Sequence, residues 1–213
     1  MLKRYASEEM QELWTEESKF WYWLQVEIAV LQARVKLGRL RPEAFDAISV
    51  HAKINVERIH ELEQVYEHDM IAFVEAVQET LEAAGVGQYK NELHKGLTSY
   101  DVEDPALILM LRQAVRLIIK DLEQLRSALA ERKQEHRRTL MIARTHGQYA
   151  EPTTFGHLLA VFESAISRSI RRIYIMLDTE LKEGRLSGTV GIYAGTDPEL
   201  EKEALDLLEL FPA

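Results

Sequence analysis

Three short segments concentrate the polar side chains that could perform acid–base chemistry or bind an anion. They are Glu67–Asp69, His94–Asp101 and Arg144–Thr154, and each falls between longer stretches with helical periodicity. His146 is the sharpest candidate for proton transfer, because histidine is the side chain that titrates near neutral pH without help. A histidine that is merely hydrogen-bonded in a loop is the simpler alternative here, and the same two interpretations apply to His68.

The second of these segments places Thr98 and Ser99 directly before a long predicted helix. Two hydroxyls and the free backbone N–H groups of a helix N-terminus can bind a carboxylate or a phosphate. Ordinary helix capping is the alternative, and this segment alone favours it, because Ser, Thr and Asp before a helix usually act as caps. Both interpretations predict that a helix begins at this point.

The composition restricts the kinds of partner and cofactor. The chain has 213 residues and a formal net charge of -9, from 35 acidic and 26 basic residues. This balance argues against nucleic acid or an anionic membrane as the main partner, although local donors can still hold a small anion. The absence of cysteine excludes disulfides, thiolate nucleophiles and cysteine-ligated metals. The 7 histidines show no metal-ligand spacing, and the sequence contains no P-loop and no dinucleotide-binding glycine motif.

No segment of the sequence is typical of a membrane span or a secretory signal. The longest purely apolar run, Ala106–Leu111, is far too short to cross a bilayer. The N-terminus is charged early and lacks an apolar core. We therefore expect a cytoplasmic protein.

The elements that must position these residues are helices almost throughout, which predicts an all-α fold. Apolar residues recur at steps of three and four over the predicted helices, which cover residues 7–37, 43–52, 56–65, 70–84, 101–137, 153–181 and 199–208. Residues 85–99 and 139–152 are predicted loops. Residues 184–195 contain four glycines and are predicted to form a glycine-rich hairpin or an extended loop.

The longest predicted helix, over residues 101–137, implies a bundle of several helices. A helix of that length extends roughly 55 Å at 1.5 Å per residue, too far to bury its apolar stripe within a small globule. We predict an N-terminal helical domain over residues 1–99 and a long-helix bundle over residues 100–213, with the glycine-rich hairpin near residues 184–195. Because the stripe needs partner helices, we also predict self-association into a dimer or larger assembly.

Five segments of the sequence, taken in chain order, form a set of family motifs. They are Arg4-Tyr5 followed by SEEMQELW, then EHDMIAFV, HKGLTSYDVEDPAL, ARTHGQYAEPTTFG and GRLSGTVGIYAG. In this order they resemble the adenylosuccinate lyase family of the aspartase/fumarase superfamily, and the resemblance covers essentially the whole chain. The Arg4-Tyr5 start and Glu151–Thr154 favour this branch over argininosuccinate lyase or fumarase, again by resemblance.

The resemblance implies an aspartase/fumarase-type all-α fold, in which an N-terminal helical domain precedes a long-helix bundle, truncated in this chain, with a short glycine-rich hairpin. It implies a homo-oligomer, a tetramer in the family, whose active sites are shared by three subunits. The implied reaction belongs to purine nucleotide biosynthesis and is the β-elimination of fumarate from adenylosuccinate and from the related succinyl-carboxamide nucleotide. No cofactor is implied, and the small-molecule partners would be the succinyl nucleotide, AMP or fumarate.

The roles of individual residues follow from the same resemblance. His146 would be the general acid that protonates the leaving nitrogen, and His68 would be the second catalytic histidine. Thr98 and Ser99 would hold a carboxylate, while His94 would lie near the phosphate or the succinyl group. The complete set of implied substrate-binding residues is Arg4 and Tyr5, which would bind the phosphate, with Glu67, His68, Asp69, His94, Thr98 and Ser99.

Departures from the family pattern leave a second hypothesis open. Tyr100 stands where the family has a small residue, and Tyr149 stands where it has a second histidine. The serine-bearing loop that supplies the family's catalytic base has no counterpart in this sequence, so we expect this chain to be catalytically incomplete by itself. The alternative function is a non-catalytic helical oligomerisation module, or a module that binds a nucleotide or a dicarboxylate, derived from the family.

Overall fold

Over residues 3–213, which the computed structural model describes, the chain forms eight α-helices and four short β-strands. The helices are α1 Glu8–Leu13, α2 Glu16–Lys36, α3 Pro42–His51, α4 Val56–Tyr66, α5 Asp69–Ala83, α6 Ser99–Glu135, α7 Phe155–Asp178 and α8 Pro198–Leu207. The strands are β1 Leu140–Thr145, β2 Gln148–Thr154, β3 Glu183–Gly184 and β4 Phe211–Pro212. Short 3-10 helices cover Lys3–Tyr5, Gly87–Glu92 and Glu180–Lys182. The predicted all-α class is confirmed, because the strands of the described residues form only two small sheets.

The chain divides into two compact units. The described residues up to Arg112, together with Leu181–Ala213, form the first unit, and Gln113–Glu180 form the second. The first unit contains α1 to α5, the beginning of α6, α8 and the sheet of β3 and β4. The second unit contains the rest of α6, the sheet of β1 and β2, and α7.

Several helix boundaries are fixed by the side chain or the backbone preference of a single residue. The side chains of Ser7, Asn55 and Asp197 each accept a backbone N–H from the first turn of the helix that follows. Pro42 is the first residue of α3, where its missing N–H costs no hydrogen bond. Gly38 follows α2 with φ at 69°, the left-handed conformation that ends helices. These boundaries therefore follow from local chemistry.

The segment predicted as one helix over residues 7–37 consists of two helices. Thr15 has an extended backbone, with φ -79° and ψ 159°, and its hydroxyl accepts the N–H of Ser18 at 3.2 Å. A threonine that bonds to nearby backbone offers an alternative to continuing a helix, so α2 begins afresh after it. The apolar periodicity runs across this break and does not reveal it.

Helix α2 is buried on more than one side, as its broad apolar surface predicts. Phe20 and Trp23 pack with Phe73 of α5, and the three pairs of ring centroids lie 5.3, 5.4 and 5.9 Å apart. Elsewhere on the same helix, Val30 joins a separate buried cluster that contains Leu186 and residues of α8. Helix α2 is therefore the central support of the first unit.

A β-hairpin forms where the sequence predicts a loop, over residues 139–152. Strands β1 and β2 pair antiparallel, and His146-Gly147 joins them. Both joining residues have positive φ, at 52° and 75°, as a two-residue turn of type I′ requires. The Leu-Met-Ile start of β1 is short and carries little periodicity, which is why a pattern of alternation was not evident.

The glycine-rich hairpin predicted near residues 184–195 does not form there, and the alternative interpretation, an extended loop, is correct. Gly184 and its neighbour in β3 pair in parallel with β4, and residues 185–197 are loop. The glycines of this loop have different roles: Gly188 and Gly191 have positive φ, at 82° and 76°, whereas Gly195 lies against another backbone segment. A Cβ added to Gly195 would collide with the backbone of Gly96, and the reverse substitution collides in the same way.

Apolar side chains remain exposed on the long helices. On α6, three members of the predicted stripe, Leu107, Ile118 and Leu125, are 47%, 43% and 46% exposed. On α7, Val161 and Phe162 are 55% and 52% exposed. The stripe is thus only partly buried by the described chain, as the length of α6 predicts. No helix among residues 3–213 combines the length and the apolar character that crossing a bilayer requires.

Candidate functional site

The first predicted segment forms a corner between α4 and α5. Glu67 ends α4 in the left-handed region, with φ at 50°. His68 precedes α5 in the N-cap position, where its Nδ1 lies 3.5 Å from the N–H of Ile71. Asp69 opens α5 and lies 3.4 Å from Nζ of Lys19 on α2. The imidazole of His68 is half-exposed and its Nδ1 faces the helix, so Nε2 is the ring atom that a ligand could reach.

Glu103, in the first turns of α6, belongs to the same charged neighbourhood. Burial raises the pKa of the Glu103 carboxyl, and the carboxylates of Asp69 and Asp104 raise it further, while Lys19 and His68 oppose the shift. Lys19, which lies 3.4 Å from Asp69, lines the same cavity as Tyr100 and Glu103, so the beginning of α6 lies near the His68 corner. The structure therefore brings the first and second predicted segments together within the first unit.

A cavity of about 420 Å³ lies between α2 and the first turns of α6. Its lining includes the aromatic rings of Trp14, Trp23 and Tyr100 and the charged groups of Lys19 and Glu103. The ammonium of Lys19 lies 4.3 Å from the centre of the Trp23 ring, a cation–π contact. Tyr100, which departs from the family pattern, is 59% exposed and forms part of this wall.

His94 is held at two atoms by a buried carboxylate. Its backbone N–H donates to Oε2 of Glu27 at 2.9 Å, and its ring Nδ1 lies 2.6 Å from Oε1 of the same residue. Glu27 belongs to α2 and its side chain is 1% exposed, whereas that of His94 is 20% exposed. The pair also fixes His94 in the left-handed backbone region, with φ at 57°.

Helix α6 begins immediately after Thr98, as predicted, but one of the expected free donors is occupied. Oδ2 of Asp101 accepts the N–H of Thr98 at 3.0 Å, and the N–H of Asp101 donates to the Thr98 carbonyl at 3.0 Å. The N–H of Thr98 is therefore not available to a ligand. Thr98 and Ser99 are half-buried, and their hydroxyls form no hydrogen bond with another of residues 3–213, so these hydroxyls are the remaining side-chain donors.

The glycine-rich loop packs directly on this segment. Oδ1 of Asp101 accepts the N–H of Gly188 at 3.0 Å. Gly96 and Gly195 meet backbone to backbone, with no room for a side chain on either. Two of the five family motifs, HKGLTSYDVEDPAL and GRLSGTVGIYAG, are consequently joined in one structure.

Arg4 and Tyr5 lie in the 3-10 helix that precedes α1, within the first unit. The guanidinium carbon of Arg4 lies 4.8 Å from the centre of the Tyr5 ring, and the tyrosine is 74% exposed. The two predicted phosphate ligands therefore lie side by side at the surface.

His146 occupies the turn of the β1–β2 hairpin in the second unit. Its side chain is exposed and its φ is 52°. Beneath the turn, Arg144 pairs with Tyr149 across the hairpin, and the guanidinium carbon lies 5.1 Å from the centre of the tyrosine ring. The geometry presents an accessible imidazole at the end of a short hairpin.

Sequence reasoning missed the residues that position the candidate ones. Lys19, Glu27 and Glu103 lie outside the predicted segments and contact or neighbour them. Asp101 lies within the second segment but was not selected from the sequence as a site residue. One signal was available, because Glu27 lies in the apolar run WLQVEIAVL, where a charged side chain requires a partner. Among residues 3–213, no cluster of three or more histidine, aspartate and glutamate side chains is arranged to hold a metal ion.

Comparison with known proteins identifies relatives along almost the full chain. A family model described as Lyase matches residues 3–212. An adenylosuccinate lyase from Staphylococcus saprophyticus is 40% identical over 210 residues, which are 99% of this chain and 47% of that protein.

Solved structures of three enzymes share the fold. A fumarate lyase from Mesorhizobium sp. BNC1 gives a TM-score of 0.89 at 28% identity and covers 98% of this chain and 49% of its own. The 3-carboxy-cis,cis-muconate lactonizing enzyme from Pseudomonas putida gives a TM-score of 0.89 at 25% identity, and the match covers 98% of this chain and 49% of that enzyme. The beta-carboxy-cis,cis-muconate cycloisomerase from Acinetobacter calcoaceticus gives a TM-score of 0.88 at 25% identity, and the match covers 97% of this chain and 49% of that enzyme. This chain therefore spans about half the length of the relatives that it matches.

Proposed function

The chain belongs to the lyase family whose model it matches over residues 3–212, and from that premise we propose that it carries part of an adenylosuccinate lyase. The observation that carries the proposal is the 40% identity to an adenylosuccinate lyase over 99% of the chain. The reaction would be the β-elimination of fumarate from adenylosuccinate and from the related succinyl-carboxamide nucleotide, within purine nucleotide biosynthesis.

The elimination makes defined demands on the site. A base removes the proton beside a carboxylate, the released electron pair forms the double bond of fumarate, and the carbon–nitrogen bond breaks. The departing nitrogen then takes a proton from a general acid. We assign that role to His146, because an exposed imidazole on a hairpin turn can approach the leaving nitrogen of a bound ligand. His68, whose Nε2 is the reachable ring atom, is the second catalytic candidate.

The anionic groups of the substrate require fixed donors. The hydroxyls of Thr98 and Ser99 at the N-terminus of α6 would hold a carboxylate, helped by the positive end of the helix dipole. The guanidinium of Arg4, stacked on Tyr5, would bind the phosphate, because a planar cation can form two parallel hydrogen bonds with it. Glu67, Asp69 and His94 would complete the substrate-binding set.

The chain by itself would supply only part of this machinery. The catalytic serine of the family has no counterpart among the 213 residues, so we expect the group that removes the proton to come from elsewhere. We also propose a homo-oligomer in the cytoplasm, a tetramer as in the family, with neighbouring subunits completing each site. The exposed apolar residues of α6 and α7 support association.

A spectroscopic assay of adenylosuccinate cleavage tests the assignment. The 213-residue chain alone is expected to show no turnover. A fusion that adds the remaining half of the Staphylococcus saprophyticus relative is expected to be active, and His146→Gln in that fusion should lower kcat by about 10²- to 10⁴-fold. Robust turnover by the 213-residue chain would overturn the proposed division of roles.

The second candidate function is a non-catalytic module that binds a nucleotide or a dicarboxylate. Two exposed tyrosines favour it, because Tyr100 lines the cavity beside α6 and Tyr149, 79% exposed, takes the place of a family histidine next to the hairpin turn. Calorimetric binding of AMP or fumarate, with a fusion that remains inactive, would support this function over catalysis.

A further inference from the structure

Glu27 is a buried acid, and each of its two carboxylate oxygens accepts a hydrogen bond from the same residue, His94. Its side chain is 1% exposed and lies within α2, among the apolar residues that form the core. An ionised carboxylate in such surroundings is costly unless each oxygen finds a donor. Both donors come from His94, 67 positions later in the chain: the backbone N–H at 2.9 Å and ring Nδ1 at 2.6 Å.

The chemistry of these two contacts determines which ring nitrogen carries the proton. An ionised carboxylate can only accept hydrogen bonds, so Nδ1 at 2.6 Å from Oε1 must be the N–H donor. In the neutral imidazole the other nitrogen, Nε2, then carries the lone pair. Any proton that the ring gains or hands on passes through Nε2.

A second buried residue of α2, Arg34, holds the chain in place two residues before His94. The guanidinium of Arg34 donates to the backbone carbonyl of Glu92 at 3.2 Å and to its carboxylate at 2.7 Å. Glu27 and Arg34 thus anchor both ends of the short stretch from Glu92 to His94. Reorienting the imidazole would break a hydrogen bond to a buried charge, which is far costlier than turning an exposed side chain.

We propose that Glu27 is a positioning residue, which fixes His94 in the Nδ1–H tautomer and reserves Nε2 for the bound ligand. The identity of that ligand rests on the proposed function, whereas the tautomer does not. Glu27 itself does not touch the ligand; it acts through His94, as a carboxylate behind a histidine commonly fixes the ring orientation.

Nitrogen NMR of the histidine side chains in the 213-residue chain tests the proposal directly. At a pH where the imidazole is neutral, Nδ1 of His94 is expected to resonate as a protonated nitrogen and Nε2 as an unprotonated one. The opposite assignment, with the proton on Nε2, would mean that Glu27 donates to the ring, and it would overturn the proposal. This measurement needs no variant and no ligand.

Glu27→Gln should invert the tautomer. The glutamine carbonyl can still accept the backbone N–H of His94, but its amide group then donates to Nδ1, so the ring proton moves to Nε2. Glu201→Gln is the matched control, since Glu201 is 3% exposed and also binds a backbone N–H and a hydroxyl, those of Leu186 and Tyr193. The control should leave the His94 resonances unchanged, and an unchanged tautomer in Glu27→Gln would contradict the proposal. If Glu27→Gln fails to fold, the NMR assignment of the His94 ring proton in the wild-type chain still tests the proposal.

Ligand addition separates this inference from the proposed function. AMP or fumarate should shift the Nε2 resonance of His94 more than the Nδ1 resonance. A wild-type ring with its proton on Nδ1 and no response to either compound would support the role of Glu27 and count against the ligand assignment. A response confined to Nδ1 would overturn the claim that the ligand meets Nε2.

Discussion

The backbone N–H of Gly188 donates to the buried carboxylate of Asp101 at 3.0 Å, across 87 positions of sequence. The second oxygen of Asp101 accepts the N–H of Thr98, also at 3.0 Å, and the residue is 0% exposed. One carboxylate therefore fixes the start of α6 and the glycine-rich loop at the same time. A fully buried charge is tolerable here because both of its oxygens receive a donor.

We expect Asp101→Asn to lower the free energy of unfolding by about 2 to 4 kcal/mol, because hydrogen bonds to a buried charge are lost. The amide can accept from one of the two N–H groups but turns its own N–H toward the other. Urea unfolding followed by circular dichroism measures the change. Asp104→Asn is the control, since Asp104 is partly exposed and lies 3.8 Å from Arg185. Its loss should stay below about 1 kcal/mol, and equal losses in the two variants would contradict the bridging role of Asp101.

The contact between Gly96 and Gly195 predicts an unequal response to alanine at two glycines. Gly96 and Gly147 both have positive φ, at 82° and 75°, so alanine at either position costs about 1 kcal/mol of backbone strain. At Gly147 an added Cβ meets no atom within 4 Å, but at Gly96 it meets the carbonyl oxygen of Gly195. Backbone cannot move aside as a flexible side chain can. Thermal unfolding should therefore show a clearly larger loss for Gly96→Ala, and similar losses would mean that the two loops are not in contact.

Glu103 should make the protein less stable as the pH rises. Burial raises the pKa of its carboxyl, so the folded chain binds this proton more tightly than the unfolded chain does. The stabilisation that comes from the protonated Glu103 carboxyl is fully present below the ordinary glutamate pKa, and it is lost as the pH rises through the raised pKa of the folded state. Glu103→Gln should therefore increase the free energy of unfolding at neutral pH and have little effect in acid, as urea unfolding at several pH values would show.

Glu79 should show the opposite pH dependence, because its pKa is lowered in the folded protein. Its carboxylate is hydrogen-bonded twice by Arg58, both at 2.8 Å, and these bonds lower the pKa of Glu79. Its contribution to stability is present above the ordinary glutamate pKa and is lost as the pH falls through the lowered folded value. Glu79→Gln should destabilise the protein at neutral pH, with a difference that shrinks in acid. If Glu103→Gln also lowered the free energy of unfolding at neutral pH, the electrostatic account of Glu103 would fail.

The parts of the fold that the sequence predicted are those governed by local chemistry. Ser7, Asn55 and Asp197 cap helices because their side chains reach the next turn, and Pro42 and Gly38 act through their own backbone preferences. The break at Thr15 escaped notice because the apolar pattern continues through it. The hairpin at His146 escaped because its strands are short and its turn is not one of the common asparagine–glycine pairs.

The sequence predicted the segments that form the candidate site, but it did not predict the residues that hold those segments in place. Helix starts and exposed histidines can be found from residue type, and the family resemblance supplied their roles. The pairing of Glu27 with His94 and of Asp101 with Gly188 depends on tertiary contacts over 67 and 87 positions. No local pattern encodes such distances, although a charged residue within an apolar run does indicate that a partner exists.

The exposed face of α7 predicts that self-association depends on Phe162, a side chain 52% exposed beside Val161. We expect light scattering of the 213-residue chain at micromolar concentration to report a dimer or a larger assembly. Phe162→Glu should reduce that mass toward the monomer, because a carboxylate would have to be desolvated on association. Ser164→Glu is the control, since Ser164 is exposed on the same helix and already bonds Arg168, with which a glutamate can pair. A wild-type chain that remains a compact monomer would contradict this prediction. If the Phe162→Glu variant keeps its helical content and still forms the assembly, the interface lies on another surface.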